Sequence, residues 1–87
     1  MKNRDFKKCL ITGITGSGGS FLTEHILKQN KKIKIYGLYR SNGYKKILEN
    51  KFKKRIQLFK LDLNKFNSVK KIIKKIKPDL IYNFASN

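Results

Sequence analysis

Three equally spaced glycines are the feature of this sequence that could do chemistry. Gly13, Gly16 and Gly19 lie three residues apart. In such a loop the first glycine allows a tight turn, the second lets the backbone approach a pyrophosphate closely, and the third allows close helix packing against the sheet. The N–H groups at the start of the following helix would hold the phosphates. We therefore expect the whole loop to bind a dinucleotide: Gly13, Ile14, Thr15, Gly16, Ser17, Gly18 and Gly19.

The position of this loop supports the interpretation. It follows the short apolar run at residues 9–12 and precedes residues 20–29, where Leu22 and Ile26 have helical spacing. A glycine loop between a strand and a helix is the context in which this spacing becomes meaningful. A tight surface turn without a ligand is the alternative. A Walker loop is excluded because no Gly-Lys-Ser/Thr sequence follows.

Arg40 indicates which dinucleotide the site would take. An NAD site usually has an acidic residue about 20 residues beyond the loop, where it binds the ribose hydroxyls. Residues 28–46 contain no Asp or Glu, and Arg40 followed by Ser41 stands in that region instead. A cation there suits a 2′-phosphate, so we expect NADP as the cofactor and consider NAD the weaker alternative. A surface cation without a ligand is the other interpretation of Arg40.

The positive charge of the chain suggests a second possible function, the binding of nucleic acid. The formal net charge is +17, from 22 basic and 5 acidic residues, and lysine supplies 19 of the basic ones. Such a balance is typical of proteins that bind nucleic acid or anionic membranes. Lys, Ile and Asn make up 38 of the 87 residues, which is the bias of an AT-rich coding sequence. No helix-turn-helix, zinc motif or aromatic–basic recognition pattern is present, so we expect no specific nucleic-acid partner, and a basic nucleic-acid-binding module remains the alternative.

The cysteine, the histidine and the apolar runs indicate what other sites and what cellular location to expect. Cys9 is the only cysteine and lies in an apolar run, so we expect a buried hydrophobe rather than a reactive thiol or half of a disulfide. We expect His25 on the surface of a helix, and no metal site. The polar N-terminus is unlike a signal peptide, and the apolar runs are too short to cross a membrane. These features predict a soluble, cytoplasmic protein.

One helix is clear from its apolar spacing. Val69, Ile72, Ile73 and Ile76 fall at i, i+3, i+4 and i+7, which places them on one face of a helix. Lysines occupy the opposite face. We expect Asn67 or Ser68 to cap its start and Pro78 to end it.

Strand-like and helical segments alternate along the rest of the chain. This β-α-β-α-β-α-β order predicts an α/β fold with a parallel sheet and right-handed crossovers. We expect a Rossmann-type sheet of order 3-2-1-4 with flanking helices, incomplete as a domain. Its strands would be residues 9–12, 34–39, 56–61 and 80–84, and the two earlier helices residues 20–29 and 44–53.

These residues resemble those of the extended short-chain dehydrogenases/reductases, and most of all the GDP-mannose 4,6-dehydratase family. The similarity covers residues 8–87, with Leu-Ile-Thr-Gly-Ile-Thr-Gly at 10–16, Tyr-Arg-Ser at 39–41, Leu-Asp-Leu at 61–63 and Pro-Asp-x-Ile-Tyr-Asn-Phe-Ala at 78–85. The sequence differs at Ser17-Gly18, where the family often has Gln-Asp, and at Ser86-Asn87, where it often has Ala-Gln. A sugar-nucleotide epimerase or reductase of the same superfamily therefore stays open.

The resemblance implies a reaction and assigns roles to residues. It implies an NADP-dependent lyase that oxidises C4 of GDP-mannose, removes water across C5 and C6, and returns the hydride to give GDP-4-keto-6-deoxymannose. A nucleotide-sugar substrate and a homo-oligomer are implied for the full-length enzyme. Arg40 would bind the 2′-phosphate, Asp62 and Leu63 would lie beside the adenine, and the segment Phe84, Ala85 and Ser86 would approach the nicotinamide ribose.

The resemblance also implies that the catalytic residues lie elsewhere. Members of the family use a Tyr-x-x-x-Lys motif, and none of the four tyrosines here is followed by lysine at the fourth position. We therefore expect residues 1–87 to form the N-terminal half of an NAD(P)-binding Rossmann domain, without a catalytic residue and inactive alone.

Overall fold

Four strands and three helices alternate along the chain, as the apolar pattern predicts. A computed structural model describes residues 6–85. The elements are β1 Lys8–Thr12, α1 Ser17–Gln29, β2 Lys34–Tyr39, α2 Lys45–Phe52, β3 Ile56–Lys60, α3 Phe66–Ile76 and β4 Leu80–Asn83.

The four strands form one parallel sheet with the order β3-β2-β1-β4. β1 therefore lies between β2 and β4, with Cys9 opposite Ile35 on one side and Leu80 on the other. The predicted Rossmann-type sheet of order 3-2-1-4 is confirmed. All four strands end at the same edge, and the loops that follow them are brought together there.

The sheet buries apolar side chains on both faces, as parallel sheets do. On one face Ile11 and Ile35 pack with Ile26 of α1 and Leu48 of α2. On the other face Leu10 and Leu38 pack against α3, whose apolar stripe contributes Val69, Ile72, Ile73 and Ile76. The predicted apolar face of α3 is thus the face that holds this helix to the sheet.

The start of α3 differs from the prediction. The helix begins at Phe66 with Lys65 as its N-cap residue, and no side chain caps it, so the expectation that Asn67 or Ser68 would do so was wrong. A turn after β3 decides the start: the Lys65 N–H donates to the Asp62 carbonyl at 2.9 Å. The chain enters the helix from this turn, and Asn67 and Ser68 already lie in its first turn.

The other boundaries shift by a few residues. α1 begins at Ser17, three residues earlier than expected, because the glycine loop leads directly into it. α3 ends at Ile76, and Lys77 follows in a left-handed conformation with φ 54°, immediately before Pro78. No helix among residues 6–85 is long and apolar enough to cross a membrane.

Candidate cofactor-binding site

A cleft of about 370 Å³ lies where the carboxyl ends of the four strands meet. In open parallel sheets ligands bind at this edge, where the strand order reverses. Here the reversal is at β1, since the chain runs from β1 outward to β3 and then returns to β4. The walls of the cleft are formed by Gly13, Thr15, Gly16, Leu38, Tyr39, Arg40, Ser41, Leu61, Asp62, Leu63, Asn64, Phe84 and Ala85.

Gly13 makes the turn out of β1, as predicted from its place in the loop. Its φ is +69°, a conformation that side chains disfavour, and a Cβ there would lie 2.7 Å from the Ala85 nitrogen. Its N–H donates to the Leu38 carbonyl at 2.9 Å, which ties the turn to the end of β2. The turn thus requires glycine both for its backbone angle and for its space.

Gly19 allows the start of α1 to lie directly on this turn. A Cβ at Gly19 would collide with the Gly13 carbonyl oxygen and lie 2.8 Å from the Ile14 Cα. The predicted close packing of the third glycine is therefore present, but its neighbour is the loop itself rather than the sheet.

Gly16 is different because the space beside it is open. Its φ is −77°, and a Cβ there would meet only the Gly13 carbonyl oxygen, at 3.4 Å. Gly16 is exposed and is the N-cap residue of α1, and no side chain caps this helix. The uncapped start of α1 leaves backbone N–H groups without a side-chain acceptor, and the space beside Gly16 is unfilled. This arrangement suits the phosphate group of a ligand.

Some predicted residues of the loop do not line the cleft. The Ile14 side chain is fully buried in the core, and its N–H donates to the Leu38 carbonyl at 3.3 Å. Ser17 and Gly18 are exposed in the first turn of α1, and a Cβ on Gly18 would lie 3.1 Å from the Phe84 ring. Their binding roles stay predictions, and the structure gives Ile14 a packing role.

Arg40 and Ser41 extend from the end of β2 into the wall of the cleft. Arg40 is exposed, and within residues 6–85 it forms no ion pair. The nearby Lys45 is paired instead with Glu49, at 3.2 Å. Arg40 is therefore a cation at the cleft without a carboxylate of its own, as an anion-binding residue should be.

Asp62 and Leu63 form the neighbouring part of the wall, directly after β3. The Asp62 Oδ1 accepts a hydrogen bond from the Asn64 N–H at 2.9 Å, which holds the turn between β3 and α3. The Leu61 N–H donates to the Tyr39 carbonyl at 2.8 Å and keeps this turn beside the end of β2. Asp62 and Leu63 thus lie on the same side of the cleft as Arg40.

Phe84 and Ala85 close the cleft after β4. The Phe84 N–H donates to the Thr12 carbonyl at 2.9 Å, so the pairing with β1 continues beyond the end of the strand. The Thr12 hydroxyl also donates to the Asn83 Oδ1. Ser86, predicted to extend this segment, lies outside the described residues.

The structure adds cleft residues that the sequence prediction missed. Their common feature is position, since they lie at a strand end or just beyond one, and the strand boundaries alone could have identified them. They are Leu38, Tyr39, Leu61 and Asn64.

Cys9 and His25 do not line the cleft. Burial raises the pKa of the Cys9 thiol to about 12, so this thiol stays protonated inside the sheet. His25 is exposed on α1, as expected. Among residues 6–85 no three His, Cys, Asp or Glu side chains are grouped as metal ligands.

A parallel sheet of this order, with a glycine loop after β1 and a cleft at its strand ends, is the architecture of a Rossmann-type fold. The family model described as GDP-mannose 4,6 dehydratase matches residues 10–87. The chain belongs to the GDP-mannose 4,6-dehydratase family.

Individual relatives agree with this assignment. The chain is 37% identical over 89 aligned positions to GDP-mannose 4,6 dehydratase 2 of Arabidopsis thaliana and 36% identical to the GDP-mannose 4,6 dehydratase of Drosophila melanogaster. Each alignment covers 92% of this chain but only 23% and 22% of the relative, so the chain spans about a quarter of their length.

A solved structure shows the same fold. The crystal structure of dTDP-glucose 4,6-dehydratase from Bacillus anthracis, in complex with NAD, superposes with a TM-score of 0.80 over 93% of this chain and 27% of its own, at 20% identity.

Proposed function

We propose that the protein containing this chain is an NADP-dependent lyase that converts GDP-mannose to GDP-4-keto-6-deoxymannose, and that this chain binds the adenosine and diphosphate half of NADP. Family membership supports the reaction and the nucleotide-sugar substrate. The cleft supports the cofactor role, because its walls come from the four loops expected to bind it. When bound, NADP supplies the acceptor and donor of a hydride.

Each part of the cleft has a task in holding the cofactor. The open backbone at Gly16 and the uncapped start of α1 would bind the diphosphate. Arg40 would bind the 2′-phosphate, while Asp62 and Leu63 would flank the adenine. Phe84 and Ala85 would approach the nicotinamide ribose. A cytoplasmic location is part of the same proposal, on the support of a single buried cysteine.

The observation that carries the choice of NADP is the unpaired Arg40 at the cleft. An arginine–phosphate contact is a charge-assisted hydrogen bond, worth roughly 1.5–3 kcal/mol. In the full-length protein we expect Arg40→Ala to weaken NADP binding by about ten- to a hundredfold and to leave NAD binding nearly unchanged. Isothermal titration of both cofactors measures the two changes.

Lys54→Ala is the matched control for this experiment. It also removes one exposed positive charge, but it lies just before β3, at the opposite edge of the sheet from the cleft. We expect it to change neither affinity. Equal losses for NADP and NAD in Arg40→Ala would refute the 2′-phosphate role.

The reaction has its own test. The full-length protein loaded with NADP should convert GDP-mannose to a product lighter by one water, detected by mass spectrometry. A product of unchanged mass would instead indicate an epimerase.

A further inference from the structure

Thr15 joins two of the loops that form the cleft. Its side chain is buried, with 5% of the residue exposed, although the loop around it is open. The Thr15 hydroxyl donates a hydrogen bond to the Ser41 carbonyl at 2.7 Å. The Thr15 carbonyl accepts one from the Tyr44 N–H at 2.8 Å. One residue of the glycine loop therefore holds both ends of residues 41–44.

Gly43 makes the second of these contacts possible. Its φ is +40°, and a Cβ there would collide with the Thr15 carbonyl oxygen and lie 3.1 Å from the carbonyl carbon. The backbone of residues 41–44 thus lies directly on Thr15. The Lys45 N–H donates to the Asn42 carbonyl at 2.7 Å and closes the turn locally.

The segment has little else to hold it in place. All four of its residues are exposed. Arg40, which directly precedes it, is exposed and forms no ion pair within residues 6–85. The direction in which Arg40 and Ser41 leave β2 is therefore set by hydrogen bonds of the backbone of residues 41–44, and those with Thr15 join this segment to the glycine loop.

We infer that Thr15 is a positioning residue for selectivity toward the 2′-phosphate: it fastens residues 41–44 to the glycine loop and so holds Arg40 and Ser41 ready for that group. The inference rests on the proposed binding of NADP. A loop ordered before binding loses less conformational entropy when the ligand arrives, which raises affinity. NAD lacks the 2′-phosphate, so the ordering of Arg40 and Ser41 should not raise its affinity in this way.

Removal of the hydroxyl tests the inference. Thr15→Val keeps the shape of the side chain but loses the hydrogen bond to Ser41, and Thr15→Ser keeps that bond. In the full-length protein we expect Thr15→Val to weaken NADP and 2′,5′-ADP by about five- to tenfold, the effect of one lost hydrogen bond. Binding of NAD should change less, so that the ratio of NADP to NAD affinity falls, and Thr15→Ser should restore the wild-type preference.

Thr23→Val is the matched control. The Thr23 hydroxyl is also buried, but it donates to the Gly19 carbonyl within α1 at 2.8 Å and forms no hydrogen bond with residues 41–44. We expect Thr23→Val to leave the ratio of NADP to NAD affinity unchanged. Gly43→Ala disturbs the contact between the two segments from the other side, because its methyl group would press on the Thr15 carbonyl, and it should reproduce the selective loss of Thr15→Val.

The outcomes separate this inference from the proposed function. Wild-type protein that binds neither NADP nor 2′,5′-ADP would overturn both. A wild-type preference for NADP that Thr15→Val retains, or an equal loss of NADP and NAD, would overturn the positioning role alone. If the variants fail to fold, hydrogen exchange of the unliganded wild type decides: we expect a protected Tyr44 amide, and fast exchange there would overturn the inference.

Discussion

Two glycines illustrate, at the scale of single residues, how an absent side chain serves either binding or packing. Gly16 faces open space at the start of α1, and the nearest atom to a Cβ there is 3.4 Å away. Gly37 lies in the middle of β2, where a Cβ would be 2.5 Å from the Ile14 Cδ1 and 2.8 Å from the Leu58 Cδ2. Gly16 therefore leaves room for a ligand, and Gly37 leaves room for the core.

Substitution should separate these two roles. We expect Gly16→Val to abolish NADP binding in the full-length protein, because the branched side chain fills the place of the diphosphate. Its circular dichroism spectrum and melting temperature should stay close to wild type, since φ −77° suits any residue. Normal cofactor binding by Gly16→Val would show that the loop is only a turn.

Gly37→Ala is the converse variant. Its methyl group would press on Ile14 and Leu58, and overpacking of a core typically costs about 1–3 kcal/mol of unfolding free energy. Chemical denaturation should show this loss. A melting temperature at or above that of the wild type would contradict the crowding seen at Gly37.

At the scale of elements, Asp79 joins the first strand to the last. Its carboxylate accepts hydrogen bonds from the Lys7 N–H at 2.8 Å and the Lys8 N–H at 2.9 Å, just before β4 begins. These two backbone hydrogen bonds hold the pKa of the Asp79 carboxyl below its ordinary value. The ionised form is therefore the one that supports the pairing of β1 with β4.

The pH dependence of stability should reveal this contact. A carboxyl with a lowered pKa stabilises the fold above its unfolded pKa of about 4, and this contribution is lost as the pH falls through the folded pKa. We expect Asp79→Asn to lower the melting temperature at pH 7, and the difference from wild type to shrink below about pH 4. Glu49→Gln, which removes an exposed carboxylate paired only with Lys45, serves as the control. A constant difference across this range would contradict the role of the Asp79 charge.

The elements themselves were largely predictable, and their connections were not. The apolar stripe of α3 and the alternating segments were sufficient to predict the sheet and its order. The start of α3 was predicted incorrectly because the turn at Asp62 decides it, and capping preference at Asn67 or Ser68 says nothing about that turn. The hydrogen bond from the Thr15 hydroxyl to the Ser41 carbonyl joins residues 26 positions apart. Because its acceptor is a backbone carbonyl, the residue type at position 41 could not predict it.

The contacts of Arg55 are a second case that the sequence could not predict. Its guanidinium donates to the Ile33 carbonyl at 2.8 Å and to the Asn30 carbonyl at 2.6 Å, and so links the turn before β3 to the end of α1. Both acceptors are backbone atoms, which every residue carries. The sequence therefore offers no pattern from which this contact could be predicted.

At the scale of the whole molecule, β4 is an edge strand with apolar residues. Ile81 is 50% exposed and Phe84 is 44% exposed in this part of the structure. Apolar edge strands invite pairing with other chains, and a chain of 87 residues buries a comparatively small core. The charge of +17 opposes association but does not cover this edge.

The 87-residue chain expressed alone should therefore be inactive and only marginally stable. We expect no conversion of GDP-mannose, because residues 1–87 contain no Tyr-x-x-x-Lys motif and span only 23% of the Arabidopsis thaliana relative. Calorimetry should show a broad transition, and light scattering should show aggregates. A sharp, cooperative melt of a monomer would contradict the stability part, and measurable turnover would contradict the rest.

The central position of β1 has a consequence for the synthesis of the protein. Thr12 of β1 and Asn83 of β4 are hydrogen-bonded neighbours although 71 residues separate them. At a translation rate of about 5–20 residues per second, roughly 4 to 14 s pass between their appearance on the ribosome. During that interval the middle strand of the sheet has one open edge and the turn at Gly13 lacks the backbone of Ala85 beside it. The turn at Gly13 therefore gains its neighbours after β4 only once residues 83–85 have been synthesised.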